Sequence, residues 1–417
     1  MNKEDDVIRR ARGRFVCMAS AYAMGVYNDN FFKQAVLILA VAAGQTAMQG
    51  VAVAVFTVPF ILLAAPAGWA ADRFPKRKVV IAAKGIEFIA MLAGAAGVCL
   101  GHWGLLFAML LIMGVQATFF SPAINGSLPE LYPADHVPRA NAVLRLLVTV
   151  AILGGVALAG VVLDMSGEWA GIECGRWMVG MIVVGVALVG LLVSAGVPSR
   201  PAANPGAPFP WNGPLHTLRQ LQAIARDPLL ATSVAADVLL WFGGSMGVLI
   251  LNPMGIQQFQ IGKTWTSGLV ASQLIGIGIG GFLGGRLLTG PRWYRGVPMG
   301  AALMAAFMLA MPLVPGLERG IGIPVLFGLT LLVGVAGGLL LIPVESFLQV
   351  RPAAHEKGAV LAAVNFAVFS GIFMSGWVAN VLNAYCRPTT AFAWVGGMTL
   401  VSAGGLWWAY RRGDLRP

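Results

Sequence analysis

Residues 15–43 read FVCMASAYAMGVYNDNFFKQAVLILAVAA, a run that is apolar except around Asn28-Asp29-Asn30 and Lys33-Gln34. About 20 such residues coiled as a helix cross the hydrocarbon of a bilayer, so this stretch is long enough to span one. An ionised side chain at mid-membrane costs about 2.5 to 3.5 kcal/mol on insertion scales, so Asp29 is expected to face protein or water rather than acyl chains. Lys33 lies four residues on, on the same helical face, where the two charges can neutralise one another and still both be offered to a ligand. The competing reading is a purely structural pair near the helix end, or a Lys33 that stretches its stem to the surface. Three consecutive polar side chains around one turn favour a ligand-facing site, because a simple pair needs only two.

The rest of the chain shares this character. Of 417 residues 58% are hydrophobic and 11% charged, against about 25% charged in a soluble domain. Apolar segments fall at 15–43, 47–71, 79–100, 103–126, 141–163, 175–197, 229–256, 264–289, 297–315, 321–344, 358–383 and 389–410. Twelve spans use up most of the length, which predicts an all-α membrane protein with twelve transmembrane helices and no sizeable soluble domain. A net charge of +11 would suggest nucleic acid in a soluble protein, but 22 of the 28 Lys and Arg lie in the N-terminus, the even-numbered joints and the tail. The positive-inside rule then puts both ends in the cytoplasm, and no nucleic-acid partner is expected. The first run continues too far past Ala19-Ser20-Ala21 to be a cleaved signal peptide. Cys17, Cys99, Cys174, Cys386 and four scattered histidines show no metal spacing, so neither a metal nor another cofactor is expected.

Gly68 to Arg73 after span 2 and Gly281 to Arg286 after span 8 lie 213 residues apart, Pro122 and Pro343 lie 221 apart, and Cys174 and Cys386 lie 212 apart. A shared offset near half the chain suggests two pseudo-symmetric six-helix bundles, residues 1–197 and 229–417, joined by a cytoplasmic linker at 198–228. That linker is rich in Pro, Gly and Asn, with a short amphipathic possibility at Leu215–Ala225.

The most specific motif is GWAADRFPKRK at 68–78. It resembles the G-x-x-x-D-R-x-x-R-[RK] signature of the major facilitator superfamily. In that reading Gly68 permits close helix contact, and Asp72 accepts hydrogen bonds at the positive N-terminus of a helix, the start of span 11 after Lys357 and Gly358. Together with Arg73 and Arg77 it would form a cytoplasmic gate. Two other patterns mislead. Gly276-x-Gly278-x-x-Gly281 has dinucleotide spacing but lies inside span 8, where Gly276, Gly280 and Gly284 serve close helix packing instead. Gly262-Lys263-Thr264 lacks the first glycine of a phosphate loop, since position 257 is Gln257.

Further polar residues in or beside the spans are Lys84 and Glu87, which can pair at i,i+3, Arg145, Asp237 before the Gly243-Gly244 break, Gln273, Glu345 and Asn365. The first half carries more of this charge than the second, which suits an amphipathic cargo.

YNDNFFKQ in span 1, SPAINGSLPEL leaving span 4, RANAVL followed by AILGG in span 5, and GGLLLIPVESFLQ in span 10 are similar to the bacterial lysophospholipid transporter family, LplT. The resemblance implies facilitated flipping of lysophospholipids such as lysophosphatidylethanolamine across the inner membrane, with membrane lipids around it and a separate acyltransferase at the cytoplasmic face as partner. Asp29 and Asn30 match the family's span 1 motif, while Arg145 stands where relatives carry an acidic residue. No histidine is followed five residues later by aspartate, so the H-x4-D pair of a fused acyltransferase is missing.

The expectation is therefore a transporter rather than an enzyme, working by alternating access. Asn28, Asp29, Asn30, Lys33, Lys84, Glu87, Arg145, Asp237 and Asn365 are the expected substrate contacts, and Gly68, Asp72, Arg73 and Arg77 the gate. A zwitterionic head group needs an anion for its ammonium and a cation for its phosphate. The alternatives are a proton-coupled major facilitator exporter of drugs or other amphipaths, with Asp29 or Asp237 carrying the proton, and a membrane-embedded acyl-transfer enzyme.

Overall fold

A computed structural model describes residues 3–125, 127, 131–133, 136–198, 201–288, 293–352 and 357–413. The chain opens with α1 (Lys3–Ala42), about 60 Å long at 1.5 Å per residue and so well beyond bilayer thickness. Span 2 is not the continuous helix expected. It is α2 (Ala47–Leu62) and α3 (Ala64–Arg73), set at 53° to each other. Pro66 is the cause, because its missing N–H and its ring act on the carbonyl four residues earlier, which is that of Leu62.

The helices α4 (Lys76–Leu100), α5 (Trp103–Asn125), α6 (Val137–Leu163) and α7 (Cys174–Ser194) complete the first six spans. α4 stops at Gly101, whose φ of 64° is left-handed, and the following His102 amide reaches back to the Gly97 carbonyl. This is a glycine helix stop with wrapped-back amides. Between α6 and α7 a two-stranded hairpin pairs Glu168 with Glu173 and Trp169 with Ile172.

The linker folds into α8 (Gly213–Ile224), close to the amphipathic stretch expected. α9 (Pro228–Pro253) begins at the Asp227 cap, whose carboxylate accepts from the Leu229 and Leu230 amides, with Pro228 at the first helical position. It runs unbroken through Gly243-Gly244, so the break expected there is absent. The irregularity falls instead after Pro253, in a π-turn at Met254–Gln258. α10 (Gly262–Leu287), α11 (Gly296–Ala310), α12 (Arg319–Val350), α13 (Lys357–Tyr385) and α14 (Pro388–Gly413) follow.

Nine of the described helices are long and apolar enough to cross a membrane, and the bent α2–α3 pair is a tenth. α1 and α14 are the other two long helices. Large apolar side chains such as Ile89, Leu192, Leu287 and Val401 are exposed, as expected of surfaces that meet lipid.

The chain forms two compact units. One comprises the chain up to Val36 with Val55–Gly213, and the other Leu37–Ala54 with the chain from Pro214 onward. In the first, a core of Phe15, Met18, Val80, Phe120, Ile124 and Leu144 lies against α1. In the second, α10 and α12 pack backbone to backbone. A Cβ on Gly276, Gly280 or Gly284 would strike the Leu331, Val335 or Leu339 carbonyl, and one on Gly334 or Gly338 would strike the Gln273 or Ile277 carbonyl. The four-residue spacing of these glycines thus makes the close approach that gives van der Waals attraction between membrane helices its strength. The same unit includes the turn after α1, where Gln257 donates to the Thr46 hydroxyl at 2.9 Å and Asn252 donates to the Gln49 side-chain oxygen at 3.0 Å.

Candidate functional site

In the first unit α1 is the element the others meet. α6 reaches it through Gly155, where a Cβ would come within 2.7 Å of the Tyr27 carbonyl and 2.9 Å of the Phe31 amide. α7 meets it through Asn28, which is fully buried and donates from Nδ2 to the Val183 carbonyl at 2.9 Å. Asn28 is therefore a packing residue as placed, although its Oδ1 is buried without a partner. Asn30 turns back on its own helix and donates to the Val26 carbonyl at 2.8 Å.

Asp29 is half-buried, and its Oδ1 has no hydrogen-bond partner. The expected direct pair with Lys33 does not form. Lys33 lays its apolar stem toward α2 and sets Nζ over the Phe56 ring at 5.2 Å, a cation–π contact that an i,i+4 argument cannot see. The two charges still act on one another, and those of Glu87 and Lys84 also act on Asp29.

Lys84 and Glu87 form a buried ion pair beside the site. Their side chains are 0% and 1% exposed, with Nζ and Oε2 2.6 Å apart. Nζ also lies 5.1 Å from the centre of the Phe120 ring. The pair has room because α1 and α7 carry glycine where it points. A Cβ on Gly25 would come within 2.6 Å of Nζ, and one on Gly190 within 3.5 Å. Gly25, Gly190 and Phe120 were not singled out from sequence; the only signal was Gly25, one turn before Asp29.

Tyr22, also not anticipated, faces the same cluster. Its hydroxyl is hydrogen-bonded to Ser121 of α5 and feels the charges of Asp29 and Arg145. Arg145 itself is exposed on α6. The first unit thus brings together Asp29, Lys33, Lys84, Glu87 and Tyr22, with Arg145 at the margin. Glu87 pairs with Lys84 through Oε2, although its Oε1, like Asp29 Oδ1, is buried without a hydrogen-bond partner. Asp29, which has no direct ion pair among the described residues, is then the available anion and Lys33 the available cation.

The remaining expected contacts lie in the second unit. Asp237 on α9 is 4% exposed, and Asn365 on α13 is exposed. The gate motif behaves differently from expectation. Among the described residues a Cβ on Gly68 would meet nothing within 4 Å, so this glycine makes no close helix contact. Asp72 is exposed, and its backbone carbonyl accepts from the Asn204 amide at 2.9 Å. Residues 353–356, just before the helix start expected to receive Asp72, lie outside the described residues.

Arg73 donates to the Pro205 and Ala207 carbonyls at 2.7 and 2.9 Å, and Arg77 donates to the Ala195 carbonyl at 2.8 Å. Trp69 adds an indole bond to Ala207 at 3.0 Å and an edge contact with Phe209. The motif therefore straps the start of the linker onto α3.

A sequence profile of the Major Facilitator Superfamily matches residues 16–376. The chain belongs to that superfamily. Among curated proteins it is similar to the lysophospholipid transporter LplT of Klebsiella pneumoniae subsp. pneumoniae, 27% identical over 86% of each chain. It is also similar to LplT of an Enterobacter species, 25% identical over 95% of this chain and 96% of the relative. In three dimensions it superposes on a bacterial homolog of the human lysosomal transporter Spinster with a TM-score of 0.69 at 15% identity, covering 97% and 98% of the two chains. That last likeness concerns fold alone. Profile and apolar helices together make this superfamily member a multi-pass membrane transporter.

Proposed function

We propose that this transporter moves lysophospholipids across the cytoplasmic membrane of a bacterium by alternating access, with both ends of the chain in the cytoplasm. The observation that carries the reading is the mixed-charge cluster on α1. Asp29 keeps an oxygen without a partner while Lys33, one turn on, is held over Phe56 instead of neutralising it. An anion and a cation held apart on one helical face suit the ammonium and phosphate of a zwitterionic head such as phosphoethanolamine, each through a charge-assisted hydrogen bond. The similarity to proteins named lysophospholipid transporters supports the cargo class. A separate acyltransferase at the cytoplasmic face would then restore the missing chain.

Uptake and reacylation of lysophosphatidylethanolamine by spheroplasts tests this. A lost charge-assisted bond of about 1.5 to 3 kcal/mol predicts roughly a tenfold or greater fall in uptake for Asp29→Ala at unchanged protein level. Full activity in that variant would remove the head-group site.

A further inference from the structure

Apart from its first residue, α8 belongs to the second unit, and it is apolar on two opposite sides. Thr217, Leu221 and Ile224 share one side at helical spacing. Ile224 is buried in a core cluster with Leu230, Tyr294, Leu348 and Tyr410, and Leu221 packs against that cluster. These partners come from the first turn of α9, the approach to α11 and the last turns of α12 and α14, so α8 is fixed at one end of the bundle. Leu215, Leu218, Arg219 and Gln222 share the opposite side. All four are exposed, the leucines by 49% each.

The last turns of α14 mark the level at which α8 is held. Trp407 and Trp408 are exposed there, and the Arg411 guanidinium lies over the Trp407 ring at 4.0 Å. Exposed tryptophan beside arginine at the end of a membrane helix belongs to the headgroup zone of a bilayer. Tyr410, between them in sequence, lies in the same cluster as Ile224. Charge suits that level as well. The chain has no acidic residue between Glu173 and Asp227. Among the described residues neither Arg219 nor Arg226, exposed in the turn after α8, makes an ion pair, and Asp227 is taken by Arg351 at 2.9 Å.

We propose that the outer side of α8 is a docking surface for anionic phospholipid, with Leu215 and Leu218 at the acyl boundary and Arg219 and Arg226 on the headgroup phosphates. A helix lying at the interface buries its apolar residues in the headgroup–acyl boundary and is drawn there by negative lipids. Arginine suits the task, because its planar fork takes phosphate oxygens in pairs while its stem covers apolar surface. An acidic soluble protein is the competing partner, but it would have to displace lipid at the level of the tryptophans to reach the two leucines. The inference does not depend on the lysophospholipid reading. In a bilayer of the same composition on both sides, it does not depend on which side the linker faces.

The test needs no transported substrate. Hydrogen–deuterium exchange of the purified full-length protein is followed in nanodiscs of phosphatidylcholine and in discs of phosphatidylcholine mixed with phosphatidylglycerol. Amides of residues 215–226 are expected to exchange more slowly in the mixed discs, and the difference should shrink at high salt, which screens exposed charges. Each arginine at an anionic surface contributes about fivefold to binding, so a gain of up to roughly 25-fold in protection should vanish in Arg219→Gln combined with Arg226→Gln. Leu215→Ser combined with Leu218→Ser should exchange faster than the parent in both discs. All four side chains are exposed, so both double variants should keep a single symmetric gel-filtration peak and the parent exchange in α13. Equal exchange of the parent in the two discs would overturn the proposal and leave this side of α8 to a protein partner. A phosphatidylglycerol effect that survives in the arginine variant would place the lipid elsewhere, and unchanged exchange in the leucine variant would show that α8 does not enter the interface; either result overturns it equally. Failure of the protein to transport lysophosphatidylethanolamine would sink the cargo reading and leave these exchange results standing.

Discussion

Removal of Lys84 is the most informative perturbation of the first unit. Its ammonium is 0% exposed and bound to a Glu87 carboxylate that is 1% exposed, so Lys84→Met leaves a buried carboxylate with no partner. Breaking a buried ion pair in this way costs about 3 to 5 kcal/mol. At about 2 to 4 °C per kcal/mol for a unit of this size, the unfolding midpoint should drop by about 6 to 20 °C. Glu87→Gln should be milder. Lys84 would keep the Phe120 ring, worth up to about 2 kcal/mol when desolvated, as well as the attraction of Asp29. The order reverses for Glu87, because without Lys84 it repels Asp29. The double variant Lys84→Met with Glu87→Leu removes both charges and should recover to within about 1 kcal/mol of the parent. Tryptophan-fluorescence melting in detergent measures all four proteins. The reasoning is refuted if both single variants melt within about 1 °C of the parent, or if the double variant is as unstable as the sum of the singles.

Three further outcomes follow from contacts elsewhere. Gly280→Leu drives a side chain into the Val335 carbonyl and should abolish recovery of folded protein, whereas Gly278→Leu, whose Cβ would meet nothing within 4 Å, should be recovered at the parent yield by gel filtration. Trp69→Ala and Arg73→Ala release the strap on residues 205–209, so limited proteolysis should cut the linker at least several-fold faster at unchanged melting temperature. Burial pushes the Asp227 carboxyl up, but the bond and charge of Arg351 and the amides of Leu230 and Leu229 more than offset it and hold it below its ordinary value. A depressed carboxyl contributes stability that is full above its unfolded value of about 3.9 and is lost as pH falls through the folded value. The melting gap between parent and Arg351→Ala should therefore be open at pH 7, below about 1 kcal/mol for so exposed a pair, and should close on acidification.

Hydropathy and charge placement made the spans legible because bilayer thickness imposes a length that no tertiary contact alters. Glycines facing another backbone were legible for a related reason: Gly276, Gly280 and Gly284 repeat at the helical period, so they had to share one face. The bend in span 2 was also written in the sequence, since Pro66 acts on Leu62, but averaging hydropathy over the run hid it. Gly243-Gly244 misled in the opposite direction, because a membrane helix keeps its internal hydrogen bonds at glycine where no solvent competes for them. The site itself was only half legible. Asp29, Lys33, Lys84 and Glu87 stood out by cost alone, yet what each does depends on partners remote in sequence. Phe56 draws Lys33 away from Asp29, Ser121 holds Tyr22 from 99 positions along the chain, and Gly190 makes room for a lysine tip more than a hundred residues earlier.

The two units therefore solve the burial of charge in opposite ways, and one comparison separates them. In the first, Glu87 is stabilised by a lysine built into the same helix, so neutralising the lysine must harm the fold. In the second, α9 carries no lysine or arginine, and among the described residues Asp237 Oδ1 is buried with no hydrogen-bond partner. Replacing a buried acid by a neutral side chain of the same shape removes the cost of burying its charge, and loss of the Trp241 indole bond to its side chain costs only about 0.5 to 1.5 kcal/mol against it. Asp237→Asn is accordingly expected to melt at or above the parent temperature under the conditions in which Lys84→Met melts below it. A fall in Asp237→Asn comparable to that of Lys84→Met would mean that Asp237 is held by a cationic partner in the folded protein, and the asymmetry between the two units would have to be abandoned.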